Sequence, residues 1–264
     1  GESVYYYQLA GTTICITFAG DGLVPYLPPA IEHLRPEPVN HPDMVIYAWD
    51  TASSGVEMVP PPCEWADFTD RGDIWGFNSK EIKTAFHWSE YSVNVMDMAT
   101  NTAVYWVKKP KAFPYWVISS PFRTLFHWWM EKNGCQLLHA AAFGTPDGAV
   151  LLTGKGGAGK SSTAIAALRA GMLYLGDDYV VVGNLPDPTV YSLYCTAKLN
   201  TEDLPGYPDL QPFSLPLVAE TQEKVVLGLW PGFREQFRWE MPLKAILTPR
   251  ITKQRNTTFH SLPF

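Results

Sequence analysis

The pattern of apolar and polar positions divides the chain into two parts. In residues 4–18, β-branched and aromatic residues are interrupted at Ala10-Gly11, which predicts a β-hairpin. Alternating apolar and polar positions then predict three antiparallel strands with one solvated face, in residues 84–88, 91–96 and 103–108. We therefore predict a smaller N-terminal α+β domain with an antiparallel sheet in residues 1–118.

From Ser120 onward the apolar positions repeat with a helical period. Pro121 suits the first helical position and Gly134 follows the end of the pattern. The apolar face consists of Phe122, Leu125, Phe126, Trp129 and Met130. Aromatic residues at this spacing belong to a core more often than to a cofactor site. The change of period places a domain boundary here and predicts a second domain in residues 119–264.

A phosphate-binding loop is the segment whose residue order demands a particular chemistry. Gly154, Gly159, Lys160 and Ser161 match G-x-x-x-x-G-K-[ST] at every fixed position, between an apolar run and a helix-forming run. Glycines at positive φ allow successive N–H groups to point at a phosphate, which a chance glycine-rich turn does not require. The predicted nucleotide-binding residues are Gly154, Lys155, Gly156, Gly157, Ala158, Gly159, Lys160, Ser161 and Ser162. Lys160 is expected to reach the β- and γ-phosphates, and Ser161 to bind Mg²⁺.

A histidine is predicted close to this loop. Residues 136–143, a turn and the strand before the loop are typical of a hairpin. If Phe143 pairs near Ala149 or Val150, His139 lies opposite Thr153 or Gly154, at the mouth of the loop. A shift of one residue would instead make His139 an ordinary core histidine, so both interpretations stay open.

Two adjacent carboxylates, Asp177 and Asp178, follow the short apolar run in residues 172–175. At the end of a strand beside a phosphate loop, one can hold Mg²⁺ and the other can accept a proton from an attacking hydroxyl. The alternative is a structural turn or cap. Because Asp177 is nearer the strand end, we expect the sheet to hold it close to Ser161 as the magnesium ligand. Asp178 would then be free to serve as the base.

Composition narrows the classes of function. The chain has 264 residues, 46% of them hydrophobic, and a formal net charge of −6. This balance provides no basic surface for nucleic acid or anionic lipid, and no apolar stretch approaches membrane-span length. The four scattered cysteines argue against a zinc site or a disulfide scaffold. We expect a soluble cytoplasmic protein without nucleic-acid or membrane partners; a homo-oligomer is compatible with the sequence.

The substrate side is less sharply defined. Residues 201–216 contain four prolines and little periodicity, so they are a candidate lid or substrate loop. A peptide acceptor would need a groove between the N-terminal domain, predicted to recognise substrate, and the phosphate loop. Basic residues that could contact phosphate or a peptide carboxylate are Lys198, Lys224 and Arg250, and the sequence does not choose among them.

The order of these motifs resembles HPr kinase/phosphorylase over residues 135–182. That family carries a histidine on the strand entering the hairpin, the phosphate loop and Ala-Asp-Asp, matched here by His139, residues 154–161 and Gly176-Asp177-Asp178. The resemblance implies an α/β fold whose catalytic domain is a P-loop HPr kinase-like domain with a mixed sheet. It also implies ATP and Mg²⁺ as cofactors, Asp178 as the base for a serine hydroxyl, and His139 beside the transferred phosphate. Lys160 completes the expected catalytic residues. Phosphoenolpyruvate carboxykinase is a weaker match.

Two departures favour a divergent, bacterial member of that family. Ser162 stands where the family commonly has glutamate, and the family's later glycine-rich signature is not recognisable in residues 183–230. Divergent relatives resemble kinases that tailor ribosomally made peptides, including lasso-peptide precursors. We therefore expect an ATP-dependent kinase acting on a serine of a peptide or protein. The alternative is a catalytically silent nucleotide-binding regulatory module.

Overall fold

The computed structural model describes residues 1–59, 64–67, 72, 74, 76–183, 187–216, 223–250, 252 and 258–261. The N-terminal part forms a six-stranded sheet in the order β1-β2-β3-β6-β5-β4. Its strands are β1 (Glu2–Leu9), β2 (Thr12–Ala19), β3 (Met44–Asp50), β4 (Ile82–His87), β5 (Ser92–Asp97) and β6 (Thr102–Val107). The predicted hairpin is confirmed as β1–β2, and the predicted three-strand meander as β4–β5–β6.

The prediction of an antiparallel N-terminal sheet is wrong for its centre. β3 runs parallel to both β2 and β6, so the sheet is mixed. The cause is the long connection before β3, which contains a 3₁₀ helix at Pro28–Leu34. This connection returns the chain to the end of the sheet at which β2 begins, so β3 runs in the same direction as β2. Parallel neighbours need such a crossover, whereas the local alternation of residues reports only which face is buried.

The C-terminal part forms a seven-stranded mixed sheet in the order β10-β8-β9-β15-β12-β11-β7 and a separate two-stranded ladder, β13-β14. The strands are β7 (Cys135–Leu138), β8 (Ala141–Thr145), β9 (Gly148–Leu152), β10 (Leu173–Gly176), β11 (Val180–Gly183), β12 (Thr189–Tyr191), β13 (Thr196–Asn200), β14 (Lys224–Gly228) and β15 (Glu240–Leu247). Only β9 and β15 pair in parallel among these described strands. The mixed sheet expected for this part is therefore present.

The helices of the described residues are short. They are α1 (Thr51–Ser54), α2 (Tyr115–Ser119), α3 (Arg123–Lys132), α4 (Lys160–Arg169) and α5 (Trp230–Phe233), with further 3₁₀ turns at Trp65–Asp67, Pro110–Ala112, Leu204–Gly206 and Gln211–Phe213. None of them has the length and apolarity needed to cross a membrane. The helix predicted from Pro121 begins at Arg123 because Phe122 has a left-handed φ of 54°. Its predicted apolar face is buried, as expected of core residues.

One apolar cluster joins residues from both sheets. It includes Tyr7 and Ile46 from the N-terminal sheet and Val181 from the C-terminal sheet, with Tyr194 and Val226 beside them. α2 spans the predicted boundary between residues 118 and 119, which stays a prediction. The shared cluster brings α2 and α3 against the strands that carry the candidate site.

Candidate functional site

The site lies where one long two-stranded ladder is interrupted. Leu138 pairs with Val180 at the end of β7–β11, and Ala142 pairs with Gly176 at the end of β8–β10, so these two pairs are in register with each other. Beyond Gly176, the β8–β10 register shifts by one residue before Tyr174. Between the two pairs, residues 139–141 on one strand and 177–179 on the other leave the ladder. β8 also pairs with β9, whose end leads into the phosphate loop. The predicted histidine, the two aspartates and the loop are therefore brought to the same region.

The structure corrects how His139 reaches this region. Phe143 pairs with Val150 as predicted, but residues 136–143 do not form one strand. The Ala140 N–H donates to the Leu138 carbonyl, 3.0 Å away, and this tight turn separates β7 from β8. His139 is thus placed by the β7–β11 pairing rather than by a position opposite Thr153 or Gly154.

The phosphate loop connects β9 to α4 and begins that helix at Lys160. Gly154, Gly157 and Gly159 have positive φ values of 140°, 78° and 88°, which residues with a Cβ atom rarely adopt. Lys160 is 7% exposed, and its ammonium donates to the carbonyls of Gly154 at 2.8 Å and Lys155 at 3.2 Å. An exposed loop of N–H groups at a helix N-terminus, with a lysine beneath it, is suited to bind phosphates.

Asp177 is buried beside this loop, with 1% exposure. One of its oxygens, Oδ2, accepts the Lys198 N–H at 3.2 Å, while Oδ1 has no hydrogen-bond partner among the described residues. Burial, together with the charge of Asp178, raises the pKa of Asp177 despite opposing contributions from the Ser161 hydroxyl and from Lys198. A buried carboxylate oxygen without a donor fits a ligand for a cation.

Asp177 and Ser161 are the residues that fit Mg²⁺. No group of three or more His, Cys, Asp or Glu side chains in the described part of the chain is arranged to hold a metal ion. Magnesium in nucleotide sites uses one or two protein ligands, and waters and substrate phosphates complete its shell. The sparse protein ligand set is therefore compatible with an ion that arrives with a nucleotide.

Asp178 is held from two sides. Its Oδ1 accepts from His139 Nε2 at 3.0 Å, and its Oδ2 accepts from Lys198 Nζ at 2.6 Å and from Ser120 Oγ at 3.4 Å. Burial acts to raise the pKa of Asp178, but the His139 hydrogen bond and the Lys198 ammonium outweigh it and lower the pKa to about 2. The side chain is therefore ionised at neutral pH. Its φ of 74° is a left-handed conformation that Asp tolerates.

An aromatic stack extends from the solvent side of this carboxylate. His139 has a side chain that is 51% exposed and stacks on Tyr179, with ring centres 5.1 Å apart. The two residues face each other because they occupy opposite positions of the interrupted ladder. Arg123 of α3 donates to the Tyr179 hydroxyl at 3.0 Å and lies over its ring.

Lys198 is the basic residue that the structure brings to the carboxylates. It lies in β13, is 10% exposed, and has its ammonium 5.7 Å from the centre of the Tyr115 ring. Sequence reasoning named it only beside Lys224 and Arg250, neither of which makes an ion pair in the described residues. No local signal singles it out, because β13 reaches Asp177 only through the tertiary fold.

Two further segments follow the aspartates in the chain, the pair of strands β12 and β13 and the candidate lid. β12 and β13 are separate strands, because the N–H groups of the intervening Ser192 and Cys195 donate to the carbonyls of Trp239 and Ala30 instead of continuing a ladder. The candidate lid, residues 201–216, is tied to the end of α4 by an ion pair between Asp209 and Arg169 at 2.9 Å. That end is remote from the phosphate loop, since ten residues of helix are about 15 Å long.

Comparisons with known proteins give a distant match. No family model matches the sequence, and no curated protein matches it. Among solved structures, the chain is similar to the Hpr(Ser) kinase/phosphatase from Coxiella burnetii, with a TM-score of 0.29 and 14% sequence identity. The match covers 43% of this chain and 64% of that one, so it spans less than two thirds of the other protein. The arrangement of side chains carries the functional conclusion.

Proposed function

We propose that the protein is an ATP- and Mg²⁺-dependent kinase that transfers the γ-phosphate to a serine hydroxyl of a peptide or protein. One observation carries this proposal. A phosphate-binding loop, a buried carboxylate with an unpartnered oxygen and a second, ionised carboxylate meet at one break in the sheet. These are the groups that phosphoryl transfer requires: a phosphate cradle, a magnesium ligand and a proton acceptor.

The donor side binds the nucleotide. N–H groups of the loop and of the first turn of α4 contact the phosphates, and Lys160 leaves the carbonyls of Gly154 and Lys155 to reach the β- and γ-phosphates. Asp177 and Ser161 would hold magnesium, which would supply positive charge against the phosphate oxygens. The unpartnered Oδ1 of Asp177 is the oxygen available to such an ion.

On the acceptor side, Asp178 takes the serine proton. The serine oxygen forms a bond to the γ-phosphorus while the bond from that phosphorus to the bridging oxygen of ADP breaks. A carboxylate with a pKa of about 2 is a weak base. In a loose transition state the proton transfers late, so the chief contribution of Asp178 is to orient the hydroxyl. His139 and Lys198 keep the carboxylate ionised and fixed for this purpose.

The acceptor class is a further part of the proposal. The resemblance to peptide-tailoring kinases makes a ribosomally made precursor, such as a lasso-peptide precursor, the first acceptor to test. The N-terminal mixed sheet would contribute to recognition, because α2 joins it to the site and places Tyr115 above Lys198.

Phosphate transfer from radiolabelled ATP to a panel of serine-containing peptides tests the proposal. Wild-type protein is expected to label a peptide only with Mg²⁺ present, and Lys160→Ala to abolish labelling because the phosphates lose their buried cation. ATP binding without transfer to any peptide or protein would favour the silent regulatory module. An active Lys160→Ala protein would contradict the assigned phosphate site.

A further inference from the structure

We propose that Arg123 binds a carboxylate of the acceptor, so that the substrate is an acidic peptide with this carboxylate close to the phosphorylated serine. This inference rests on the proposed kinase function and specifies its substrate class. Arg123 lies in the first turn of α3, and its guanidinium is centred 5.2 Å from the centre of the Tyr179 ring.

Arg123 differs from the other cations of the site in having no negative partner in the described part of the chain. Lys198 is neutralised by Asp178, and Lys160 is directed into the phosphate loop. Within the described residues, no carboxylate lies within ion-pairing distance of Arg123, whose hydrogen bond goes to the Tyr179 hydroxyl. A partly exposed guanidinium held in place by an aromatic ring is a preorganised receptor for a carboxylate, which it can bind through two parallel hydrogen bonds.

The stack also places this receptor on the acceptor side. His139 is half exposed where it donates to Asp178, so an incoming hydroxyl approaches from the side on which His139 and Tyr179 lie. Buried Tyr194 lies within electrostatic range of both Arg123 and Asp178, so both charges are near this one side chain. The Tyr194 hydroxyl donates to the Pro121 carbonyl, just before α3, and so fixes that helix against the site.

The length of the stack limits where the carboxylate can be. The contacts from Asp178 through His139 and Tyr179 to Arg123 extend over at most about 15 Å, and an extended peptide advances ~3.3–3.6 Å per residue. The carboxylate therefore belongs to an Asp or Glu side chain, or to a chain terminus, within roughly four residues of the serine.

A positional peptide array tests this inference. Each peptide carries one serine and a single Asp, Ala or Lys at one of the flanking positions, and is made with a free or an amidated C-terminus. Wild-type protein is expected to phosphorylate the best acidic peptide about tenfold or more faster than its Ala counterpart, the scale of one charge-assisted hydrogen bond. A gain confined to free C-termini would identify the terminal carboxylate as the ligand, and a gain with internal Asp would identify the side chain.

Variants of Arg123 assign the preference to this residue. Arg123→Gln is expected to remove the acidic preference, and Arg123→Glu to reverse it toward Lys peptides. Arg234→Gln is the matched control, since Arg234 also stacks on an aromatic ring, that of Trp230, outside the site. Equal rates across the array, or an acidic preference that survives Arg123→Gln, would overturn the inference while leaving the kinase proposal intact. Failure of wild-type protein to label any peptide or protein would overturn the kinase proposal instead.

Discussion

Removal of the Lys198 ammonium would measure how strongly the fold holds Asp178 in its ionised form. The pair is short, at 2.6 Å, and its side chains are only 10% and 13% exposed. Breaking a buried ion pair costs about 3–5 kcal/mol, and one hydrogen bond to a charged group is worth about 1.5–3 kcal/mol. The lower range applies because His139 and Ser120 continue to donate to Asp178. We therefore expect Lys198→Met to lower the free energy of unfolding by about 2–3 kcal/mol at pH 7.

Urea unfolding at pH 7 measures this loss. Lys224→Met is the control: Lys224 lies on β14, next to β13, and makes no ion pair in the described residues, so we expect a change within about 0.5 kcal/mol. Adding Asp178→Asn to Lys198→Met removes the uncompensated charge, so the double variant should lose less than the two single losses combined. Equal urea midpoints for Lys198→Met and the control would refute the reasoning.

The Lys198–Asp178 pair also predicts how the free energy of unfolding depends on pH. The pKa of Asp178 is about 2, below the ordinary value of about 3.9, so its ionisation stabilises the folded state above pH about 4. That contribution is lost as the pH falls toward 2. Lys198→Met removes a cation that lowers this pKa, so the stability gap between wild type and variant should narrow below pH about 4. A gap that stays constant down to pH 3 would assign the loss to packing.

Replacing Asp178 and replacing Asp177 should have different effects on the kinetics of phosphorylation. Asp178→Asn is expected to lower the phosphorylation rate by about 100-fold, because the amide neither accepts the serine proton nor orients the hydroxyl as a carboxylate does; this is the lower end of what a proton acceptor contributes. ATP·Mg²⁺ affinity should be nearly unchanged in calorimetry. Asp177→Asn should instead raise the Mg²⁺ concentration needed for half-maximal rate. It should also raise the urea midpoint of the nucleotide-free protein, because the raised pKa of Asp177 means that its ionisation costs stability at neutral pH. The opposite kinetic pattern would exchange the two assignments. In wild-type protein, Asp178 should contribute no acid limb to the pH–rate profile near neutrality; such a limb, abolished by Asp178→Asn, would contradict its low pKa.

The sequence was sufficient to predict the parts of the site whose structure depends on residues close together in the chain. The loop motif fixes its own backbone, and the pairing of Phe143 with Val150 follows from a short hairpin. The turn at Ala140 could not be predicted, because it depends on β7 pairing with β11, more than 40 residues away. That pairing is invisible to the alternation of apolar residues.

Long-range contacts also explain why Arg123 was missed and why Lys198, although named as a candidate, could not be chosen over Lys224 and Arg250. Both are ordinary surface-type residues in the sequence, and only the shared core brings β13 and α3 to the break in the ladder. The direction of β3 was missed because a crossover, and not the strand's own residues, decides it. Contacts made between distant segments are thus what sequence reasoning lacked at both places.

The paired strands on both sides of the break have a mechanical consequence. Hydrogen bonds before and after the interruption hold the two strands together. They therefore restrict how far His139 and Asp178 can move apart. The phosphate loop and α4 form an excursion that leaves the ladder after β8 and β9 and returns at β10. In the proposed kinase, a nucleotide would therefore reshape the loop and move Lys160 while the acceptor side keeps its geometry. The proposal thus makes the donor half adaptable and the half that orients the hydroxyl rigid.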